Sequence, residues 1–177
     1  MPAQRIKDER HMHLHLRRLT PFDGYDVYAM TQTMPKEENG FQNSASGLSF
    51  AEFQAWMQRQ HDISVGIDLP EGFVAQTVYW LYDGDQPVGS CKLRLQLSEA
   101  LLKRGGNIGY GIAPYARGKG YGKELLRLLL QVAKEQGLKK VLITVNNDNN
   151  ASIGVALANG GVIEKISAEA HYIWIHI

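Results

Sequence analysis

Residues 107–122 read NIGYGIAPYARGKGYG, a short apolar segment followed by a glycine-rich turn. Beyond them, an apolar stripe with the helical spacing i, i+3, i+4, i+7, i+8 is formed by Leu125, Leu128, Leu129, Val132 and Ala133. Gly137 stands where this helix is expected to end. The apolar run 141–145 then predicts a buried strand. The order strand, turn, helix, strand predicts a βαβ crossover in which residues 107–112 and 141–145 lie parallel and adjacent.

The rest of the chain is predicted to contain further strands, helices and loops. Apolar and polar residues that alternate, rich in β-branched and aromatic types, predict strands at 13–19, 76–82, 87–95 and 171–177. The strand at 171–177 is expected to close the sheet. Helical spacing and capping residues predict helices at 21–30, 50–60 and 151–159. Gly, Ser, Asn and Pro indicate loops at 39–47 and 61–72.

Length and composition limit the class of protein. A chain of 177 residues with 44% hydrophobic and 21% charged residues fits one globular domain. We expect that domain to span 13–177, after a flexible N-terminal segment at 1–12. A formal net charge of +1 gives no reason to expect a nucleic-acid partner.

Cellular location is predicted from what the sequence lacks. Cys91 is the only cysteine, which favours a reducing compartment. No apolar run reaches the roughly 18 residues that a membrane helix needs, so we expect no membrane association. Residues 1–10 lack the apolar core of a secretory signal, so we expect a cytoplasmic protein.

The segment Arg117-Gly118-Lys119-Gly120-Tyr121-Gly122 joins the strand to the helix N-terminus. Free N–H groups and the helix dipole favour an anion there, glycines allow close approach, and two basic side chains add positive charge. These features predict a pyrophosphate site. The alternative is that the glycines only form a tight turn and the basic side chains are solvated.

Two other phosphate-binding motifs can be compared with this segment. A Walker loop needs a glycine five residues before its Gly-Lys and Ser or Thr after it, and neither Gly118-Lys119 nor Gly122-Lys123 meets that requirement. The dinucleotide motif needs G-x-G-x-x-G, whereas this chain has G-x-G-x-G, and Asn146 stands where a ribose-binding acid is wanted. A dinucleotide site remains the weaker alternative.

The run 112–122 resembles the central acetyl-CoA motif of the GNAT superfamily of N-acetyltransferases, whose core is Arg or Gln, x, x, Gly, x, Gly or Ala. The later segment with Asn149, Ala151-Ser152 and Gly160-Gly161 is similar to the family's Asn, x, x, Ala … Gly-Phe segment. The resemblance is specific over 76–164 and only topological before it.

This resemblance implies an α/β (mixed α+β) domain whose mostly antiparallel sheet is splayed between two parallel central strands and flanked by helices. It implies acetyl-CoA as cosubstrate and no metal. The pantetheine arm would bond to backbone groups at Ile112 and Ala113. The pyrophosphate would lie on Arg117, Gly118, Lys119, Gly120, Tyr121 and Gly122, and Asn149 and Ser152 would face the pantetheine or its thioester.

The implied reaction is transfer of an acetyl group to a primary amine of a small molecule or protein. Ala156 stands where the family often has a tyrosine acid, and residues 107–110 offer no carboxylate as base. Glu71 and Tyr110 are the open candidates for the base, and no catalytic residue is assigned. The alternatives are a catalytically silent acyl-CoA-binding module and a nucleotide-binding oxidoreductase.

Three further features have a structural or a functional interpretation. His11, His13 and His15 would share one face of a strand and could bind a metal, but an exposed strand edge is favoured. Cys91 is interpreted as a small buried residue, not a nucleophile. Residues 171–177 could pair a homodimer if they formed an apolar edge strand.

Overall fold

The computed structural model describes residues 13–177. The segment 1–12, predicted to be flexible, and His11 lie outside the described residues.

The described chain alternates strands and helices. The strands are β1 Leu14–Arg18, β2 Glu37–Glu38, β3 Phe41–Gln42, β4 Thr77–Asp83, β5 Gln86–Leu93, β6 Ile108–Ile112, β7 Lys140–Asn146, β8 Val162–Ile166 and β9 Ala170–His176. The helices are α1 Tyr25–Thr33, α2 Phe50–Ser64, α3 Glu99–Lys103, α4 Tyr121–Glu135 and α5 Asn150–Ala158, with a 3-10 turn at Pro114–Ala116.

The strands form two main sheets that meet at one line. The larger sheet has the order β1-β4-β5-β6 and the smaller the order β7-β9-β8, with antiparallel pairing throughout. Helix α4 connects β6 to β7, yet within residues 13–177 no ladder joins these two strands. The sheets therefore part between them and leave a cleft. The predicted fold class, a splayed and mostly antiparallel sheet with flanking helices, is confirmed.

The residues just before β6 hold the two sheets together. The buried Asn107 donates its backbone N–H to Leu142 O (2.8 Å), and its side-chain oxygen accepts from Leu142 N (2.7 Å). On the other side, Asn107 exchanges hydrogen bonds with the backbone of Arg94. A Cβ on Gly106 would lie 2.3 Å from Leu142 O, so only glycine permits this approach. The cleft begins where these bonds end.

Helices cover both faces of the larger sheet. Along β4, Val78, Trp80 and Tyr82 pack with α1 and α2, while Tyr79 and Leu81 pack with α4 on the other face. Because both faces are buried, β4 is apolar throughout. The stripe predicted on α4 lies in the core, with Leu125 and Leu129 fully buried.

Several element boundaries differ from the prediction. Helix α1 begins at Tyr25, not at 21, because the side chain of Asp23 accepts bonds from the N–H and hydroxyl of Thr20 and holds a turn there. Helix α2 continues to Ser64, four residues beyond the predicted end. Helix α3 and strand β8 were not predicted.

The predicted edge position of residues 171–177 was wrong. Strand β9 lies between β7 and β8, with both of its edges paired. The edge strands of the smaller sheet are β7, at the cleft, and β8, whose five residues are exposed. The homodimer remains a prediction, and β9 does not supply an open edge for it.

Among residues 13–177, no helix combines the length and apolar character that crossing a membrane requires.

Candidate active site

A cleft of about 560 Å3 lies where the two sheets part. Its walls come from β6, β7, the first turns of α4 and α5, and the β2–β3 hairpin. The predicted cofactor-binding residues among its lining are Ile112, Arg117, Gly118, Gly120, Tyr121, Gly122, Asn149 and Ser152. Residues from two sequence segments almost 30 positions apart are thus brought together around one space.

The glycine loop presents the N-terminus of α4 to this cleft. Gly118 and Gly120 have φ values of 77° and 81°, in the left-handed region that favours glycine. Gly120 is the N-cap residue and has no side chain to bond the first-turn N–H groups. Those groups and the helix dipole are therefore directed toward an anion in the cleft.

Gly122 has a different role from the other two glycines. A Cβ there would lie 3.6 Å from Val155 and 3.9 Å from both Ile112 and Tyr110. Gly122 thus lies where α4 meets β6 and α5, at distances that would leave a Cβ in ordinary van der Waals contact. Gly118 and Gly120, by contrast, face open space.

Arg117 lies at the centre of a polar network at the loop. Its Nε donates to Ile112 O (3.1 Å), and its guanidinium forms a two-pronged ion pair with the carboxylate of Glu38 on the β2–β3 hairpin. Both side chains remain accessible at 44% and 40%. The hairpin thus contacts the cation that was predicted to bind pyrophosphate.

The backbone of β6 faces the cleft at alternate residues. Ala113 donates its N–H to Val88 O on β5 (2.9 Å). Because bonding alternates along an antiparallel strand, Tyr110 and Ile112 direct their backbone groups away from β5 and toward the cleft. Arg117 already donates to Ile112 O, so the N–H of Ile112 and both backbone groups of Tyr110 are available to an extended ligand lying alongside β6.

Two hydroxyl groups meet inside the cleft. Tyr110 on β6 donates its O–H to Ser152 Oγ on α5 at 3.2 Å. Burial raises the pKa of Tyr110, and the bond to Ser152 opposes part of that effect. Tyr110 therefore keeps its proton near neutral pH, which suits it to an acid better than to a base.

Other predicted residues have structural partners of their own. Asn149 caps α5, accepting a hydrogen bond from Ser152 N (3.2 Å). The hydroxyl of Tyr121 donates to Asp83, and this bond, with burial, raises the pKa of Tyr121 to about 12. The ring of Tyr121, not its hydroxyl, is thus left to face the cleft.

Some residues from the sequence prediction lie outside the cleft lining. Ala113 is fully buried with its N–H bonded to β5, and Lys119 is exposed with its ammonium 5.9 Å from the Tyr121 ring. Glu71 is exposed in the loop before β4, and Ala156 is buried in the core. Of the two base candidates, only Tyr110 lines the cleft.

The sequence prediction missed the hairpin that covers the cleft. Asn39 and Gly40 both have positive φ, 52° and 83°, and form a two-residue turn that pairs Glu38 with Phe41. Asn-Gly is a strong hairpin signal that could have identified this turn. Gly111 allows Phe41 to pack on β6, since a Cβ there would lie 3.1 Å from its ring.

Three cations at the other end of the cleft were also missed. Lys92, Arg94 and Arg104 line it beside Thr144. Ser90 and Lys92 on β5 and Arg94 directly after it stand at alternate positions, so their polar pattern indicated a strand face that is not packed against α4.

The remaining sequence features lie away from the cleft. Within residues 13–177, no group of three or more His, Cys, Asp or Glu residues is placed to hold a metal ion. His15 stacks on Tyr82 with ring centroids 5.6 Å apart. Cys91 is fully buried, and burial raises the pKa of its thiol.

The family described as Acetyltransferase (GNAT) domain matches residues 13–162. No curated protein matches the sequence significantly.

Solved structures of low sequence identity share the fold. RimL, a ribosomal L7/L12 alpha-N-protein acetyltransferase in complex with coenzyme A, has a TM-score of 0.70 at 15% identity, covering 94% of this chain and 95% of that one. The microcin C7 self immunity acetyltransferase MccE, in complex with acetyl-CoA and AMP, has 0.67 at 14% identity, covering 94% and 93%. The spermidine/spermine N-acetyltransferase SpeG from Vibrio cholerae has 0.59 at 17% identity, covering 92% and 94%.

Proposed function

The chain belongs to the GNAT family of acetyltransferases, and we propose that it transfers the acetyl group of acetyl-CoA to a primary amine. The observation that carries the proposal is the arrangement of the cleft. An anion-binding helix N-terminus lies at one end, and unpaired strand backbone follows along β6.

Each part of acetyl-CoA has a matching surface. The diphosphate would accept bonds from the N–H groups at the start of α4 and from Arg117. The amide-containing pantetheine arm would lie along β6 and bond to the backbone of Ile112 and Tyr110, as an added strand does. Solved relatives of this fold bind coenzyme A or acetyl-CoA, which supports the choice of cofactor.

The reaction forms one bond and breaks one. The neutral amine nitrogen attacks the thioester carbonyl carbon, the N–C bond forms, the C–S bond breaks, and CoA leaves as a thiolate. Holding the amine and the thioester together in the cleft accounts for much of the expected rate acceleration. The nitrogen must lose a proton, and the thiolate must gain one.

We propose that the hydrogen-bonded hydroxyl groups of Tyr110 and Ser152 supply the proton that the thiolate gains. Ser152 lies at the first turn of α5, on the cleft, and Tyr110 can pass a proton to it through their hydrogen bond. The raised pKa of Tyr110 keeps that proton available near neutral pH. Solvent receives the proton of the amine and returns a proton to the Tyr110–Ser152 pair.

The first test is calorimetric titration with acetyl-CoA and, separately, with NAD. We expect saturable binding of acetyl-CoA and none of NAD. Binding of NAD alone would contradict the proposal, and binding of neither would remove the cleft as a cofactor site.

The second test separates binding from chemistry. Tyr110→Phe keeps the ring and removes the hydroxyl, so we expect unchanged acetyl-CoA affinity and a kcat lower by roughly 10- to 100-fold. Tyr172→Phe is the matched control, since its hydroxyl bonds only a backbone oxygen, that of Lys103. Binding of acetyl-CoA without turnover of any amine by the wild type would indicate a silent binding module instead.

A further inference from the structure

Three basic side chains at the end of the cleft remote from Arg117 have no acidic partner among residues 13–177. Lys92 Nζ donates to Gln42 O (2.8 Å), Arg94 donates to Gly106 O (3.2 Å), and Arg104 donates to the side-chain oxygen of Asn146. Each acceptor is a neutral oxygen. Within residues 13–177, none of the three forms a salt bridge.

The charge of the cleft is accordingly one-sided. Its lining contains one carboxylate, Glu38, and that group is paired with Arg117. Lys92, Arg94 and Arg104 therefore leave a concentration of positive charge in a partly enclosed space. Such a field attracts anions and repels cations.

The cofactor does not account for these three charges. Acetyl-CoA carries its negative charge on the phosphates of its nucleotide end, while its pantetheine arm and thioester are neutral. The guanidinium of Arg117 donates to the backbone oxygen of Ile112, whereas the guanidinium of Arg94 donates to that of Gly106. The five-residue strand β6 separates these two oxygens, or about 17 Å of extended chain.

Burial also makes the charged forms of Lys92 and Arg94 less favourable. Burial, together with the charge of Arg94, lowers the pKa of Lys92 to about 8, and burial lowers the pKa of Arg94. Cations that are brought together out of water are stabilised by an anion between them.

We propose that the acceptor amine carries a carboxylate or phosphate group, which Lys92, Arg94 and Arg104 bind while its amine reaches the thioester. This inference rests on the proposed acetyltransferase function. A guanidinium fork matches both oxyanions, so the chemistry shared by the two groups defines the site. A polyamine, whose remaining nitrogens are cationic, is disfavoured as acceptor.

The test uses matched pairs of amines on the full-length protein. O-Phosphoethanolamine is compared with ethanolamine, β-alanine with its amide, and spermidine represents the polyamines. Release of the CoA thiol gives kcat/KM for each, and thermal stability of the CoA-saturated protein reports binding without turnover. We expect the anionic member of at least one pair to exceed its neutral partner by roughly tenfold or more in kcat/KM and to raise Tm more.

The two pairs distinguish the source of the charge. Preference for O-phosphoethanolamine alone would assign a phosphate, and preference for β-alanine alone would assign a carboxylate. Equal or better activity with a neutral amine or spermidine would overturn the inference, as would the absence of both turnover and stabilisation with every anionic amine.

Variants then connect the preference to the cations. Arg104→Gln should raise KM for the preferred anionic amine by roughly tenfold and leave acetyl-CoA affinity unchanged. Lys103→Gln is the matched control, because it removes a neighbouring positive charge whose side chain does not line the cleft. Arg104→Lys, which keeps the charge, should recover part of the loss.

These measurements separate two kinds of failure. Loss of acetyl-CoA binding by the wild type would contradict the proposed function itself. Normal acetyl-CoA binding together with preferred turnover of spermidine would contradict only the anionic acceptor.

Discussion

At the scale of single residues, Gly120 is where a side chain would most directly test the anion site. Its φ of 81° is left-handed, and an added Cβ would meet nothing within 4 Å in the free protein. A side chain here therefore meets no clash, although the left-handed backbone strains any substitution. Apart from that strain, its effect falls on the bound diphosphate. An aspartate would place negative charge against the phosphates.

We predict that Gly120→Asp abolishes measurable acetyl-CoA binding while Gly120→Asn, similar in size but neutral, weakens it only partly. Asparagine tolerates the left-handed region, so the difference between the two variants reports the charge. Calorimetry measures both affinities.

Gly137→Asp is the control for backbone strain in this experiment. Gly137 has φ 93°, equally open surroundings, and a position after the far end of the same helix. It should cost some stability and leave acetyl-CoA affinity unchanged. Equal affinities of Gly120→Asp and the wild type would remove the loop as the diphosphate site.

Single residues also show how much of the site could be predicted from the sequence. The spacing of glycine and arginine in 117–122 predicted the helix N-terminus, because the backbone geometry of such a turn depends on residues that are adjacent in the sequence. Glu38 could not be connected to Arg117 in this way, since 79 positions separate them. Ala113 was expected to be available to the cofactor, but the register of β5 directs its N–H to Val88 instead.

At the scale of elements, the β2–β3 hairpin is the part of the cleft that can respond to the cofactor. Glu38 holds the guanidinium of Arg117 in the free protein, where the diphosphate is expected to bind. A diphosphate must therefore displace or share this carboxylate. An accessible ion pair of this kind contributes about 0.2–1 kcal/mol.

We predict that Glu38→Gln raises acetyl-CoA affinity by about two- to fivefold, because it removes the competing carboxylate. Titration calorimetry of the variant against the wild type gives this ratio. Glu37→Gln on the same hairpin is the control, since its exposed side chain does not line the cleft. Weaker binding by Glu38→Gln would mean that Glu38 orients Arg117 for the cofactor.

Elements with strong local patterns were predicted well, and those defined by distant partners were not. The stripe of α4 gave both its position and its buried face, since amphipathic spacing reports burial directly. Strand β8 is exposed at all five residues and exists because β9 pairs with it, so no buried pattern marked it. Because β8 was not predicted, β9, whose apolar and polar residues alternate, was wrongly placed at the edge of the sheet.

At the scale of the whole molecule, Lys92 connects the cleft with the pH dependence of folding. Its folded pKa is lowered to about 8, chiefly by burial, from an ordinary value of 10.5. Between these values the unfolded chain binds more protons than the folded protein does. The free energy of unfolding therefore rises with pH across this window, and below it the buried charge costs stability.

We predict that Lys92→Met stabilises the unliganded protein at pH 7 and that this advantage shrinks as pH rises past 8. Thermal unfolding from pH 7 to about 9.5 measures the difference in stability between the variant and the wild type. Higher pH is avoided because tyrosines ionise in the unfolded chain. Lys134→Met, which changes an exposed lysine on α4, is the control. Its difference in stability from the wild type should stay constant over this pH range. A constant difference across the window would mean that Lys92 is not held as a buried cation, and would also remove its support for an anionic acceptor.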